Sequence, residues 1–93
     1  MKYIRNNNFV LRNIMNKNML FPIGQMTQEM QGAIILNDIA TLIWNCMENY
    51  CDKENILKRV LSEYDVEESQ AINDIDELLN LLCTNGLVYK SES

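Results

Sequence analysis

The most constraining feature of this sequence is an abrupt change of hydrophobic period at residue 37. The run Gly32-Ala33-Ile34-Ile35-Leu36 is strand-like and apolar, and it enters Asn37 directly. Asn is a strong helix N-cap, because its side-chain oxygen accepts from the unpaired amide groups of the first turn. Beyond it Ile39, Leu42, Ile43, Cys46 and Met47 recur at i, i+3, i+4, i+7 and i+8, the stripe of an amphipathic helix. A strand is therefore joined to a helix with no linker. Trp44, the single tryptophan, sits beside that stripe, where a large ring can roof a small core.

Sequence before this junction reads as strands. Phe9, Leu11 and Asn13 alternate with Val10, Arg12 and Ile14, which predicts a first strand over residues 9–14. Asn16, Lys17 and Asn18 form a turn cluster, since Asn tolerates left-handed backbone. Residues 19–21 form a short second strand, ended by Pro22 and Gly24, which cannot both sit inside a central ladder. A polar connection, residues 25–31, leads to the third strand, residues 32–36.

Sequence after the junction reads as helices. The first is expected over residues 38–48. Asp52 caps a second, which puts Ile56, Leu57, Val60, Leu61 and Tyr64 on one face. The third is the longest, residues 68–84, with Glu67 and Glu68 at its electropositive start. Its apolar side holds Ala71, Ile72, Ile75, Leu78, Leu79 and Leu82, and Leu81 widens it beyond what one neighbouring helix needs to cover. Asn85-Gly86 supplies a left-handed C-cap, after which Leu87, Val88 and Tyr89 fold back on the core. The expected fold is α+β, a winged helix-turn-helix-like arrangement of a three-stranded antiparallel sheet followed by three helices. One domain spans residues 1–93, with its core over about 9–88 and Ile43, Trp44, Leu57, Leu61 and Leu79 inside.

Composition narrows the function. A chain of 93 residues buries roughly 60 to 65% of its unfolded surface, enough for one modest core and no large internal cavity. The net charge is −5, and no Lys or Arg occurs between Val60 and Tyr89, where seven carboxylates lie. Acidic sequence repels phosphate backbones and attracts basic peptides. The third helix, which would read DNA in a helix-turn-helix, carries Asp74, Asp76 and Glu77 and no basic residue, so nucleic acid is not expected as a partner. There is no histidine and no phosphate-binding or nucleophile-elbow motif, so neither catalysis nor a cofactor is expected. Cys46, Cys51 and Cys83 have no CxxC spacing and fall short of a four-ligand metal site. No apolar run reaches the ~20 residues of a membrane span, and the opening residues lack a signal-peptide core, so a cytoplasmic location is expected.

At this point the sequence resembles a known family. Leu20-Phe21-Pro22-Ile23-Gly24, Ile35-Leu36-Asn37, Ala40-x-x-Ile43-Trp44, Ile56-Leu57 and Leu61-x-x-Tyr64-Asp65-Val66 are similar, in order and spacing, to PqqD-like proteins. The similarity closes with Asp74-Ile75-x-x-Leu78-Leu79-x-x-Leu82-x-x-x-Gly86-Leu87-Val88. Two features depart from the family pattern: Ile23 stands where an acidic residue is common, and the connection over residues 25–31 is longer and more polar. The resemblance implies a recognition element for ribosomally made, post-translationally modified peptides. Such a domain binds the leader of a precursor peptide and presents the core peptide to a modifying enzyme, often a radical SAM protein. The alternative from another class is a winged-helix DNA-binding transcription regulator.

On this reading an extended leader adds to the edge of the third strand by main-chain hydrogen bonds, over Gly32, Ala33, Ile34, Ile35 and Leu36. Its side chains are expected in pockets between that strand and the third helix, lined by Ile34, Leu36, Ala71, Ile75, Leu78 and Leu82. Asp74 is placed at the rim to receive a Lys or Arg of the leader. The bland reading is that these apolar residues complete the core, and it applies most strongly to Ile75 and Leu82.

Overall fold

The computed structural model describes residues 1–24 and 33–92. Among these, six strands and three helices follow one another in the chain. They are β1 (Lys2–Arg5), β2 (Phe9–Ile14), β3 (Lys17–Pro22), β4 (Ile34–Leu36), α1 (Asp38–Cys46), β5 (Cys51–Asp52), α2 (Lys53–Glu63), α3 (Glu68–Thr84) and β6 (Val88–Ser91). The fold is α+β with strands leading into helices, as the sequence predicts.

One antiparallel sheet has the order β2-β3-β4 and corresponds to the three expected strands. Its hairpin is tighter than expected. Met15 and Asn16 both have positive φ, 53° and 66°, and form the two-residue connection, so Lys17 and Asn18 belong to β3 and not to the turn. A two-residue loop with left-handed backbone at both positions matches the twist of the flanking strands. Asn18 is claimed by the ladder, where its Oδ1 accepts from Asn13 Nδ2 at 3.0 Å. Pro22 closes β3 opposite Phe9, at the end of the strand where a missing donor is tolerated.

The second sheet, β5-β1-β6, is not legible in the local sequence. β1 is only four residues long and joins the two ends of the chain, Lys2 to Ser91 and Arg5 to Val88. Short β5 lies on its other side. Tyr3 turns into the core, while the backbone amide of Arg5 donates to the Met47 carbonyl and binds β1 to the end of α1.

Local chemistry sets the helix ends. Asn37 Oδ1 accepts from the Ala40 amide at 2.8 Å, and Asp52 Oδ1 accepts from the Asn55 amide at 2.8 Å, so both expected N-caps are present. Helix α1 ends at Cys46 with Met47 as its C-cap, two residues before the expected boundary. Helix α3 has the expected bounds and ends in a Schellman motif: Leu87 N–H donates to Leu82 O and Gly86 N–H to Cys83 O. Gly86 takes the left-handed position, φ +78°.

Trp44 is 1% exposed, so its ring is enclosed in the core. It belongs to one buried cluster with Ile43, Met47, Ile56, Val60, Leu79, Leu82, Leu87 and Val88. Leu57 and Leu61, expected in the core, pack against it while remaining half-buried. The Arg5 guanidinium lies 6.0 Å from the Trp44 ring centroid, within cation–π range. Among the described residues, no helix is long and apolar enough to cross a membrane.

Candidate functional site

The junction that organises the sequence also forms one wall of a groove. Because Asn37 ends β4 and caps α1 at once, the first turn of α1 rises directly from the last residue of the strand. That turn faces α3. Between them lies a cleft of about 340 Å³, with Asn37, Ile39, Ala40 and Ile43 on the α1 side. Asp74, Glu77, Leu78 and Leu81 form the α3 side.

Helix α3 reaches this cleft with a second stripe. Ala71, Ile75, Leu79 and Leu82 are buried and hold the helix to the core. Asp74, Leu78 and Leu81 follow the same i, i+4, i+7 spacing one residue earlier, about 100° round the helix. Leu78 is half-buried, and Leu81 is 55% exposed beside the cleft. The width of the apolar arc noted in the sequence is therefore divided between a core stripe and a groove stripe.

Of the residues that sequence reasoning assigned to the site, Asp74 and Leu78 line the groove. Leu36, Ala71, Ile75 and Leu82 are buried core side chains and do not line it. Ile34 packs half-buried against the core, on the same face of the sheet as Leu36. Ile35 points the other way and is 58% exposed, and Ala33 precedes β4. Gly32 lies outside the described residues. The expected wall between the third strand and the third helix is thus formed mainly by α1. Sequence reasoning missed Asn37, Ile39, Ala40 and Ile43 as groove residues. The signal was present in α1, whose apolar arc is also wide, but nothing in it says which neighbour that arc meets.

Strand β4 is an edge among the described residues, paired only to β3 through Asn18–Leu36, Met19–Ile35 and Leu20–Ile34. An edge strand presents one row of backbone donors and acceptors to any extended segment beside it. The groove is acidic at its rim. Asp74 Oδ1 accepts from Gln70 Nε2 at 2.9 Å, and neither Asp74 nor Glu77 is in an ion pair with a described residue. Asp76, which lies between them in sequence, is held by Lys53 at 2.7 Å. That hydrogen bond raises the lysine's affinity for its proton.

The three cysteines are free thiols, each held above the ordinary thiol value first of all by burial, which makes them weak nucleophiles at neutral pH. Among the described residues no group of three or more His, Cys, Asp or Glu side chains could hold a metal ion.

Two solved structures are similar to the chain in fold. One is TbiB1 in complex with the TbiA(beta) leader peptide, with TM-score 0.74, 19% identity, and 97% of this chain and 99% of that chain covered. The other is lasso peptide synthetase B1 complexed with the leader peptide, with TM-score 0.74, 22% identity, and 97% and 100% covered. No curated protein matches the chain. The family model described as coenzyme PQQ synthesis protein D (PqqD) matches residues 23–88, a span that holds β4, all three helices and the whole groove. The chain belongs to the PqqD family.

Proposed function

We propose that this protein binds the leader segment of a ribosomally synthesised precursor peptide and presents the peptide to a modifying enzyme, without catalysing the modification itself. The observation that carries the reading is a half-apolar groove with two carboxylates at its rim that form no ion pair with a described residue, next to a strand that is an edge among the described residues. An extended segment can pair with the backbone of β4 while alternate side chains drop toward Ile39, Ala40, Leu78 and Leu81. Asp74 and Glu77 favour a leader with Lys or Arg near its apolar anchor. Ala33, Ile34, Ile35 and Leu36 contribute main chain, and Ala71, Ile75 and Leu82 act indirectly by holding α3 in place. Both solved structures similar in fold are of proteins in complex with leader peptides, which supports this reading.

The partner enzyme is assigned to the radical SAM class on the family resemblance, and the location to the cytoplasm. A winged-helix likeness does not favour DNA. Helix α3, which would enter the major groove, carries Glu68, Asp74, Asp76 and Glu77 and no Lys or Arg.

The test is a calorimetric titration of the leader peptide encoded beside this gene into wild type and Leu78→Arg, after circular dichroism shows the variant folded. An arginine in the groove brings a charge that must be desolvated, and the expected loss is about tenfold in affinity, around 1.4 kcal/mol. Equal affinities would move the site off α3. No binding by wild type would remove the leader-peptide reading.

A further inference from the structure

The sheet β2-β3-β4 has two apolar faces, and only one of them is used by the core. Phe9, Leu11, Leu20, Ile34 and Leu36 point inward and belong to the core or pack on it. The alternate residues point outward. Register places Val10 beside Phe21, Met19 between Arg12 and Ile35, and Ile14 beside Lys17. Val10, Met19 and Phe21 are half-buried yet belong to no part of the core, and register sets them close enough on the outer face for cross-strand contact. Ile14 and Ile35 are exposed at its two sides.

The only charges in these outward rows are basic, Arg12 and Lys17. Neither is in an ion pair with a described residue, although the chain carries a net charge of −5. A half-apolar face with two cations that have no ion-pair partner among the described residues fits a partner surface that is apolar and rimmed by carboxylates. A second copy of this chain fits poorly, because a two-fold contact would set Arg12 and Lys17 against their own copies. The area also disfavours a stable dimer. Three strands of about five residues make a face of roughly 14 by 17 Å, well under the ~800 Å² per partner of a lasting interface. Such a patch suits a brief encounter.

Ile35 connects this face to the proposed leader site. It lies in the outward row, on the strand whose free edge would receive the leader. A segment added to β4 continues the pleat, so every second leader side chain joins the same outer face. We infer that the outer face of β2-β3-β4 is the docking surface for the modifying enzyme, and that a bound leader completes it as a fourth strand. The inference rests on the leader-binding function proposed above. It makes loading and delivery consecutive, since the enzyme meets its full contact surface only when the peptide is in place.

Two variants test it: Phe21→Glu, and the exposed double reversal R12E/K17E. Each is checked by circular dichroism. Each is then titrated with the synthetic leader and, both loaded and empty, with the purified modifying enzyme encoded beside the gene. The leader affinity should stay within about twofold of wild type, while enzyme binding weakens about tenfold or more. Wild type should bind the enzyme at least about threefold tighter when loaded than when empty. Unchanged enzyme binding in both variants would overturn the docking surface. A parallel loss of leader affinity would make this face part of the leader site instead. A wild-type dimer that the variants dissociate would make a second copy the occupant. Failure of wild type to bind leader counts against the proposed function alone, because the empty-protein titration still reads the docking face.

Discussion

Asn6 donates from its side-chain Nδ2 to the carbonyl oxygen of Gly86, 2.9 Å away and 80 positions later in the chain. The same side chain accepts from the Asn8 amide through Oδ1 at 2.9 Å, and the Asn6 amide donates to Leu87 O at 2.8 Å. Asn6 is the one buried polar residue among those described. It ties the turn after β1 to the cap that ends α3, and so holds the second sheet against the helix carrying the groove stripe.

Truncating Asn6 removes two part-buried side-chain hydrogen bonds, to Gly86 O and from the Asn8 amide, each typically worth about 1 kcal/mol. Asn6→Ala should therefore lower the thermal midpoint clearly. Asn13→Ala, which removes an exposed cross-strand pair, should stay within about 0.5 kcal/mol of wild type. Equal shifts in the two melting curves would show that the clamp adds nothing beyond an ordinary surface hydrogen bond.

Left-handed backbone gives a second, paired prediction. Met15 holds φ 53° at a hairpin tip where Asn or Gly is preferred, and it is 89% exposed, so its side chain contributes little packing. Met15→Asn should stabilise the fold by about 0.5–1 kcal/mol. Gly86→Ala should destabilise it by about 1 kcal/mol from backbone strain alone, since an added Cβ meets nothing within 4 Å. Urea denaturation of both variants checks the opposite signs.

The cysteines give a pH dependence. Burial raises the thiols of Cys46, Cys51 and Cys83 above their ordinary value of 9.0; nearby Arg59 opposes this at Cys46, and Lys90 and Lys53 oppose it at Cys83. The folded state therefore keeps these protons where the unfolded chain releases them. The stabilisation is complete below the unfolded-state value and is lost as pH rises through the folded-state values. Calorimetric melting of wild type should show a fall in midpoint above about pH 9 that is shallower in the Cys46→Ala, Cys51→Ser, Cys83→Ala variant. Identical pH profiles would mean that the thiols are solvated alike in both states.

Much of the fold is written locally. Asn37 and Asp52 are caps because their side chains reach their own first turns, and Asn85-Gly86 ends α3 because a left-handed step there satisfies the last carbonyls. Such features involve neighbours in sequence, so spacing alone reveals them. The alternation in residues 9–14 and the helical stripes are legible for the same reason. The sequence likewise determines that α3 has more apolar surface than a core stripe needs.

Pairings between distant segments are different in kind. Residues 2–5 become a strand only because residues 88–91 and 51–52 lie on either side of them. Four residues of alternation carry too little propensity to announce that. Periodicity also states how wide an apolar face is without naming what it meets. Only packing decided that Ala71, Ile75 and Leu82 turn into the core while Leu78 and Leu81 line a groove, and that the opposite wall is Ile39, Ala40 and Ile43 of α1. A helical rotation of about 100° separates those two outcomes on one helix, and it is fixed by the neighbouring elements rather than by the helix's own residues.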